Sequence, residues 1–436
     1  MKTILIFGAG KSATSLIEYL CGISGENDFR IIVCDANLNL AASKIETCTN
    51  ASAVSIDVGD SEKRRDLIGQ ADLVISMLPP ALHFLVANDC VLFKKHLLTA
   101  SYIDDKIKEL DKDISDNGLL FLCEMGLDPG IDHMSAMKLI HGIKEQGAKI
   151  TSFKSHCGGL ISPESDDNPW HYKFTWNPAN VVMAGSSGAI FKLSGKMTTL
   201  SYDQIFENNQ IVDVPALFPL AWYANRDSLG YINTYRLHDV DTFIRTTLRH
   251  PSFCNGWNAL VRMGLTNVDD YTKIAGCKTW QDWYQLKKDL SGFRFPDKKT
   301  ASEFDDQIAY LELNSNAPIP PEIKNSASLL QTILEKKLAV KPHDKDMIVM
   351  LHEIGYESKG EKKEIRSCLI VKGEDERHTA MSKTVGLPLG IAAKLILREK
   401  IKLTGLRIPV SPEIYQPVLK ELEDEGIKFR EYWSVL

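Results

Sequence analysis

The chain has no run of eighteen or more apolar residues, so nothing in it reads as a membrane span. Its nine cysteines contain no C-x-x-C pair, which argues against a zinc ribbon or a disulfide scaffold and suits reduced thiols. It has no excess of basic charge: 51 Lys and Arg stand against 57 Asp and Glu, a formal net charge of −6. That excludes a broad basic field for nucleic acid or an anionic membrane. An anionic ligand must therefore be met by a local cluster of cations. Repeats, coiled-coil heptads and low-complexity tails are absent too. An apolar run follows Met1-Lys2, but it stops after four residues at Gly8, too short for the core of a signal peptide. These absences lead us to expect a cytoplasmic protein. What is present is ordinary, with 44% hydrophobic and 25% charged residues over 436 positions, enough for two or three globular domains.

The first twenty residues organise the rest. Ile4 to Phe7 is a short, apolar, β-branched run, and Ser15 to Leu20 continues as a helix. Between them Gly8, Gly10 and Ala13 are spaced G-x-G-x-x-A, in the strand–turn–helix context of a dinucleotide fingerprint. Gly8 permits the tight turn, Gly10 lets a pyrophosphate approach the backbone, and Ala13 keeps helix and strand close. The helix N-terminus offers N–H groups and a positive dipole end to the phosphates. A P-loop reading of Gly10-Lys11-Ser12 fails, because Leu5 stands where the first glycine of that motif belongs. The second strand, RIIVCD, ends in Asp35, about the ~20 residues on at which an acid binds the adenosine ribose and repels a 2′-phosphate. The cofactor expected is NAD, with NADP as the alternative.

Six near-continuous apolar runs alternate with amphipathic stretches up to about residue 130, the pattern of a parallel sheet covered on both faces. Ligands in such folds lie beyond the carboxyl ends of the strands, so Gly8, Asp35, Asp57, Leu78, Ser101 and Asp128 should face one crevice. From Asp132 the grammar changes. KITSFKSHCGG alternates as a strand, and SPESDDNPWHYKFTW is a polar, aromatic loop of the kind that carries function. Residues 201 to 344 have mostly helical periodicity. DMIVMLHEIGY and IRSCLIVKG bracket a charged turn as an antiparallel hairpin, and TVGLPLGIAAKLIL from Thr384 reads as a helix with Pro388 in its first turn.

Three groups of residues could carry chemistry. In GLDPGIDH, Asp132 reads as a helix N-cap, whereas Asp128, at a strand tip before a Pro-Gly turn, reads as a ligand. Arg226 in NRDS and Arg245 in IRTTLRH suit the bidentate binding of carboxylates. Arg249 sits four residues after Arg245 on what reads as one helix face, and serves equally well as a solvated charge. On an acidic chain the cluster suggests a polycarboxylate. Cys157 is an acid–base thiol or, taken alone, a small buried cysteine. His133, His156 and His171 fit no metal-ligand spacing, so no metal is expected.

Together, GAGKSA, DLVISMLP, TASY, GLDPGIDH, CGG, DNPWHYKFTW, NRDS, RTTLR, KDMIVM and AMSKTVGLP resemble the glutamate-forming saccharopine dehydrogenases, nearly from end to end. The chain is also similar to the C-terminal half of animal aminoadipic semialdehyde synthases. The resemblance implies an α/β protein: a variant Rossmann domain (1–130 and 385–436), an α/β substrate-binding and dimerisation domain (131–200 and 345–384), and an all-helical lid (201–344). It implies cofactor contacts at Gly10, Lys11, Ser12, Ala13, Asp35, Ala36, Asn37, Asp57, Val58, Leu78, Ser101, Leu127, Asp128 and Lys173. Substrate contacts fall on Ser101, Tyr102, Asp128, Arg226, Arg245, Thr246 and Thr247. Tyr102, Asp128 and Cys157 are the acid–base candidates. Two departures stand out: the family's R-G-T-L-R is RTTLR here, with Thr246 for glycine, and its Y-C-G-G is HCGG, with His156 for tyrosine.

The implied reaction belongs to lysine metabolism. Saccharopine is oxidised with NAD to L-glutamate and 2-aminoadipate 6-semialdehyde, or formed in reverse, by a cytoplasmic homodimer. The rivals are another amine or imine dehydrogenase of this fold, such as a lysine 6-dehydrogenase or a carboxynorspermidine-type enzyme, and a non-catalytic NAD-binding module. A diamine substrate would want carboxylates where this chain has Arg226 and Arg245.

Overall fold

The structure, a computed structural model, describes residues 1–207, 209–323 and 325–435. The chain divides into two compact units. One comprises Met1–Gln146 with Arg377–Lys428, the other Gly147–Glu376 with Phe429–Leu436.

The first unit is built on a seven-stranded, all-parallel sheet. Its order is Gly405–Arg407, Leu120–Leu122, His96–Thr99, Leu73–Ser76, Lys2–Phe7, Phe29–Asp35, Ala51–Ser55. The apolar runs are buried because helices cover both faces, as βαβ crossovers require. The direction of winding reverses between Lys2–Phe7 and Leu73–Ser76, which makes the carboxyl ends of these strands the switch point where such folds bind ligands.

The helix Ala380–Leu397 packs on Thr14–Asn27 and closes this unit. Its length and mean hydropathy of 1.3 would suit a membrane, yet 78% of it is buried inside the protein, as befits a core helix. Thr379 caps it by accepting from the Ser382 N–H, so it starts before Thr384 and Pro388 lies in its interior, not in its first turn. Close approach explains its glycines. A Cβ on Gly386 would stand 2.7 Å from the Leu16 nitrogen, and one on Gly390 2.7 Å from the Tyr19 ring.

The second unit is a ten-stranded mixed sheet. The hairpin expected from the sequence is there, Asp346–Ser358 against Glu361–Lys372. Lys149–Ile161 lies antiparallel to Asp346–Ser358 on one side and parallel to Thr242–Arg249 on the other. The last strand, Arg430–Val435, pairs with Glu361–Lys372, so the chain ends in this unit and not in the parallel sheet.

Two expectations are corrected here. Residues 201–344 are not all helical: strands at Gln210–Val212, Leu220–Ala224, Arg226–Asp227 and Thr242–Arg249 join the sheet, with only the short helices Tyr202–Ile205 and Gly230–Tyr235 described before the longer ones that start at Pro251. Arg245 and Arg249 lie on a strand, not a helix. A spacing of four returns to the same face of a strand as well, and Ile244, Thr246 and Thr247 are β-branched. The helices Pro251–Arg262, Trp280–Ser291, Lys298–Leu311 and Ser326–Lys337 then enclose a core containing Trp170, Trp257 and Trp283.

The Gly386 contact gives a first test. Gly386→Ala should destabilise the first unit by about 1–3 kcal/mol through overpacking. Gly22→Ala, where a Cβ meets nothing within 4 Å, should be neutral or stabilising. Thermal melts compare the two, and equal Tm values would refute the close packing.

Candidate functional site: a dinucleotide crest and an arginine clip

Residues at the strand tips of the first unit are shaped for a dinucleotide. Gly8 has φ +98°, and a Cβ there would lie 2.8 Å from the Met77 carbonyl oxygen, so the turn admits only glycine. Gly10 faces open space, with no protein atom within 4 Å of a Cβ position. It precedes a 3₁₀ turn, Lys11–Ala13, that runs into Thr14–Asn27 without a side-chain cap. The Asp35 carboxylate is held at its strand tip: Oδ2 accepts from the Ala9 N–H (2.8 Å) and Oδ1 from the Asn37 N–H (2.9 Å). Ala36 and Asn37 follow directly, and Asn37 caps the next helix. Asp57 accepts from the Gly59 N–H at 2.8 Å, and the Val58 carbonyl accepts from Arg64. These residues fit a nicotinamide dinucleotide, with Gly10 and the uncapped turn for its phosphates and Asp35 for its ribose.

The loops after the fifth and sixth strands are tied into one knot. Glu124 N–H donates to the Ser101 carbonyl and Met125 N–H to that of Thr99, both at 3.0 Å. The Glu124 side chain accepts from the Ile103 N–H and pairs with buried His133 at 2.9 Å. Asp128-Pro129 is a cis bond, and Gly130 has φ +147° with no room for a Cβ against Gly126. Gly130, not Asp132, is the N-cap of Ile131–Glu145; buried Asp132 reaches back to accept the Gly130 N–H at 2.6 Å. The knot brings two expected residues together: Tyr102 Oη donates to Asp128 Oδ1 at 3.3 Å. Leu127 is buried beside Asp128, and Leu78 is half-buried before Pro79.

Beneath Ser101 lies His83, which sequence reasoning missed. Its Nδ1 meets Ser76 Oγ at 2.8 Å and its Nε2 meets Ser101 Oγ at 2.7 Å. Burial pushes its pKa down to about 4, so the imidazole is neutral at pH 7 and one nitrogen remains an acceptor.

In the second unit the two arginine motifs meet. Asn225 N–H donates to the Arg245 carbonyl, and Arg245 N–H donates to Ser228 Oγ, each at 2.9 Å. The NRDS segment is thus clipped to the Arg245 peptide. Arg226 is exposed with φ +52°, while Arg245 is buried with its guanidinium 4.6 Å from the Tyr231 ring centre. Thr247 is the register partner of Tyr223 and of Cys157. Burial pushes the Tyr223 phenol up to about 12. Thr246 lies on the opposite face of the strand and turns to His156, Nδ1 to Oγ1 2.6 Å.

The remaining expected residues have other surroundings. Cys157 is buried on its strand opposite Met350. Lys173 is buried between Asp344 (2.8 Å) and Asp167 (2.9 Å). Burial would raise the Asp167 carboxyl, but its bonds to Lys173 and Lys341 hold it at about 2. Arg249 is buried against Tyr172 and Phe253 and donates to carbonyls, so it is no solvated charge. Among the described residues no group of His, Cys, Asp and Glu is arranged to hold a metal ion. His133, His156 and His171 each pair with a carboxylate instead.

Comparison with known proteins decides the family. A model of the saccharopine dehydrogenase NADP binding domain matches residues 4–122, and one of the saccharopine dehydrogenase C-terminal domain matches residues 126–427. The chain belongs to the saccharopine dehydrogenase family. The saccharopine dehydrogenase [NADP(+), L-glutamate-forming] of Saccharomyces cerevisiae is 32% identical over 99% of both chains. The mitochondrial alpha-aminoadipic semialdehyde synthase of Mus musculus is 34% identical over 98% of this chain and 47% of its own length. The chain therefore spans about half the length of that relative and its mammalian counterparts. A solved apo saccharopine dehydrogenase (L-Glu forming) from Saccharomyces cerevisiae superposes with a TM-score of 0.91 at 31% identity, with both chains fully covered.

A saccharopine dehydrogenase is an oxidoreductase acting on a CH–NH group with a nicotinamide dinucleotide, and the crest described above suits that cofactor. Glu124, His133 and His83 are the supporting residues that the sequence did not disclose. Only His133 stood out there, and as a metal candidate. The neutral state of His83 is open to test. The unfolded chain binds its proton near pH 6.5 and the folded chain near 4, so its contribution to stability is intact above pH 6.5 and lost as pH falls toward 4. Half-buried His96, also lowered by desolvation, adds to the same trend. His83→Asn should flatten the pH dependence of unfolding free energy by up to ~1.4 kcal/mol per pH unit in that window. An unchanged slope would show that His83 is not buried neutral.

Proposed function

We propose that this protein is a glutamate-forming saccharopine dehydrogenase of lysine metabolism. The observation that carries the reading is the clip that ties the NRDS segment, which holds Arg226, to the backbone of buried Arg245 on a chain of net negative charge. Saccharopine is a secondary amine with three carboxylates, each desolvated on binding. Charge-assisted bonds from guanidinium forks offset that cost and fix the orientation of the reacting carbon. A diamine would be repelled there.

The balanced reaction takes saccharopine, NAD(P)⁺ and water to glutamate, 2-aminoadipate 6-semialdehyde, NAD(P)H and a proton. The bound dinucleotide supplies the hydride acceptor. Arg226, Arg245 and Thr247 hold substrate carboxylates. Ser101, Tyr102 and Asp128 adjoin the dinucleotide crest, and the Tyr102–Asp128 hydrogen bond gives a proton a path between phenol and carboxylate during amine deprotonation and water attack. Cys157 is the third acid–base group, and Lys173 a cofactor contact, on the strength of the family resemblance.

We favour NAD. The anionic Asp35, pinned by two backbone N–H groups, would repel a 2′-phosphate, although the matching family model and the fungal relatives carry NADP in their names. A homodimer, resting on the family alone, and a cytoplasmic location, resting on the scattered cysteines with no C-x-x-C pair, are part of the same proposal.

Initial rates of NAD(P)H formation test this. Saccharopine should be turned over while lysine and polyamines are not, with kcat/KM for NAD at least ~10-fold above that for NADP. Arg245→Ala should raise the saccharopine KM by ~10- to 100-fold, the cost of ~1.5–3 kcal/mol for a hydrogen bond to a charged group, and leave the dinucleotide KM unchanged. Turnover of a diamine, or equal damage to both KM values, would refute it.

A further inference from the structure

His156 and Thr246 touch through their side chains, Nδ1 to Oγ1 at 2.6 Å. They face each other in register on the parallel strands Lys149–Ile161 and Thr242–Arg249. Both are fully buried, and the Trp222 ring lies 5.6 Å from that of His156. The other imidazole nitrogen, Nε2, meets Glu353 Oε2 at 3.0 Å. Glu353 in turn faces Lys154 at 3.9 Å and Arg366 at 3.5 Å. Burial would raise the Glu353 carboxyl, but His156 and these two cations outweigh it and hold it below its ordinary value. Burial likewise lowers His156, so the ring is neutral.

That fixes the hydrogens. An ionised carboxylate only accepts, so Nε2 carries the ring proton and donates to Glu353. Nδ1 is then a lone pair, and Thr246 Oγ1–H donates to it. The Thr246 hydroxyl is committed on the face away from Arg245 and Thr247. Peptide groups alternate along a strand, and those of Arg245 hold Asn225 and Ser228, so those of Thr246 face the His156 strand. Thr246 is tied to that strand by backbone and side chain together.

We propose that His156, anchored by Glu353, is a positioning residue for the substrate carboxylates: through Thr246 it fixes the peptide between Arg245 and Thr247. This rests on the reading of Arg245 and Thr247 as substrate contacts.

The test is a set of kinetic cycles on the full chain. Thr246→Val removes the hydroxyl at constant shape, and His156→Phe removes both ring bonds. Each should raise the saccharopine KM about 5- to 30-fold with the dinucleotide KM unchanged. The double variant should be no worse than the more impaired single one. Thr246→Ser, which keeps the donor, should retain the wild-type KM. Unchanged KM in folded variants, or effects that simply add, would overturn the proposal. If His156→Phe does not fold, Thr246→Val decides alone by the same criterion. Nitrogen-15 spectra of the wild-type ring give a readout independent of turnover, and a protonated Nδ1 would overturn the assignment even if saccharopine is not the substrate.

Discussion

The backbone N–H and C=O of Arg245 hold the NRDS segment in place, and the proposed substrate site depends on that tie. The N–H and C=O of a strand residue point the same way, and here both are given to the NRDS segment, through Ser228 Oγ and the Asn225 N–H. Ser228 is fully buried, so its hydroxyl would cost ~1–3 kcal/mol if it lost that partner. The clip therefore has to form for the unit to fold well, and forming it ties the segment that carries Arg226 to the backbone of Arg245, residues remote in sequence. The Tyr231 ring under Arg245 adds a cation–π contact in a desolvated setting, worth up to ~2 kcal/mol.

The first unit follows the same economy of placement. Its crest depends on two glycines for opposite reasons: Gly8 because a carbonyl lies against it, Gly10 because nothing does. Behind the next strands, side chains that never reach the crest hold those that do. Glu124 ties the Ser101–Ile103 segment to His133, and His83 supports Ser101 from below. Tyr102 and Asp128 meet because both ends of that lashing are buried and paired.

Much of this was legible in the chain itself. Near-continuous apolar runs between amphipathic stretches located the parallel strands, and two strand-like runs about a charged turn located the long hairpin, because those elements bury whole faces. The glycine turn and Asp35 were readable because backbone geometry leaves few residue choices there. The strand Thr242–Arg249 was not, since arginines four apart lie on one face in either structure and only tertiary pairing decides between them. The interior placement of Pro388 was hidden by a cap at Thr379 outside the apolar run. His83, Glu124 and the His156–Thr246 contact carry no local signal, because each acts through a partner distant in sequence.

The most direct measurement of the central claim is a crystal structure of the protein with saccharopine and reduced NAD, the dinucleotide proposed for it. The account predicts substrate carboxylates within hydrogen-bonding distance of the Arg245 and Arg226 guanidinium groups, with the Asn225–Arg245–Ser228 bonds intact. A saccharopine molecule whose carboxylates lie on other residues, with both arginines left in solvent or stacked on protein alone, would contradict it.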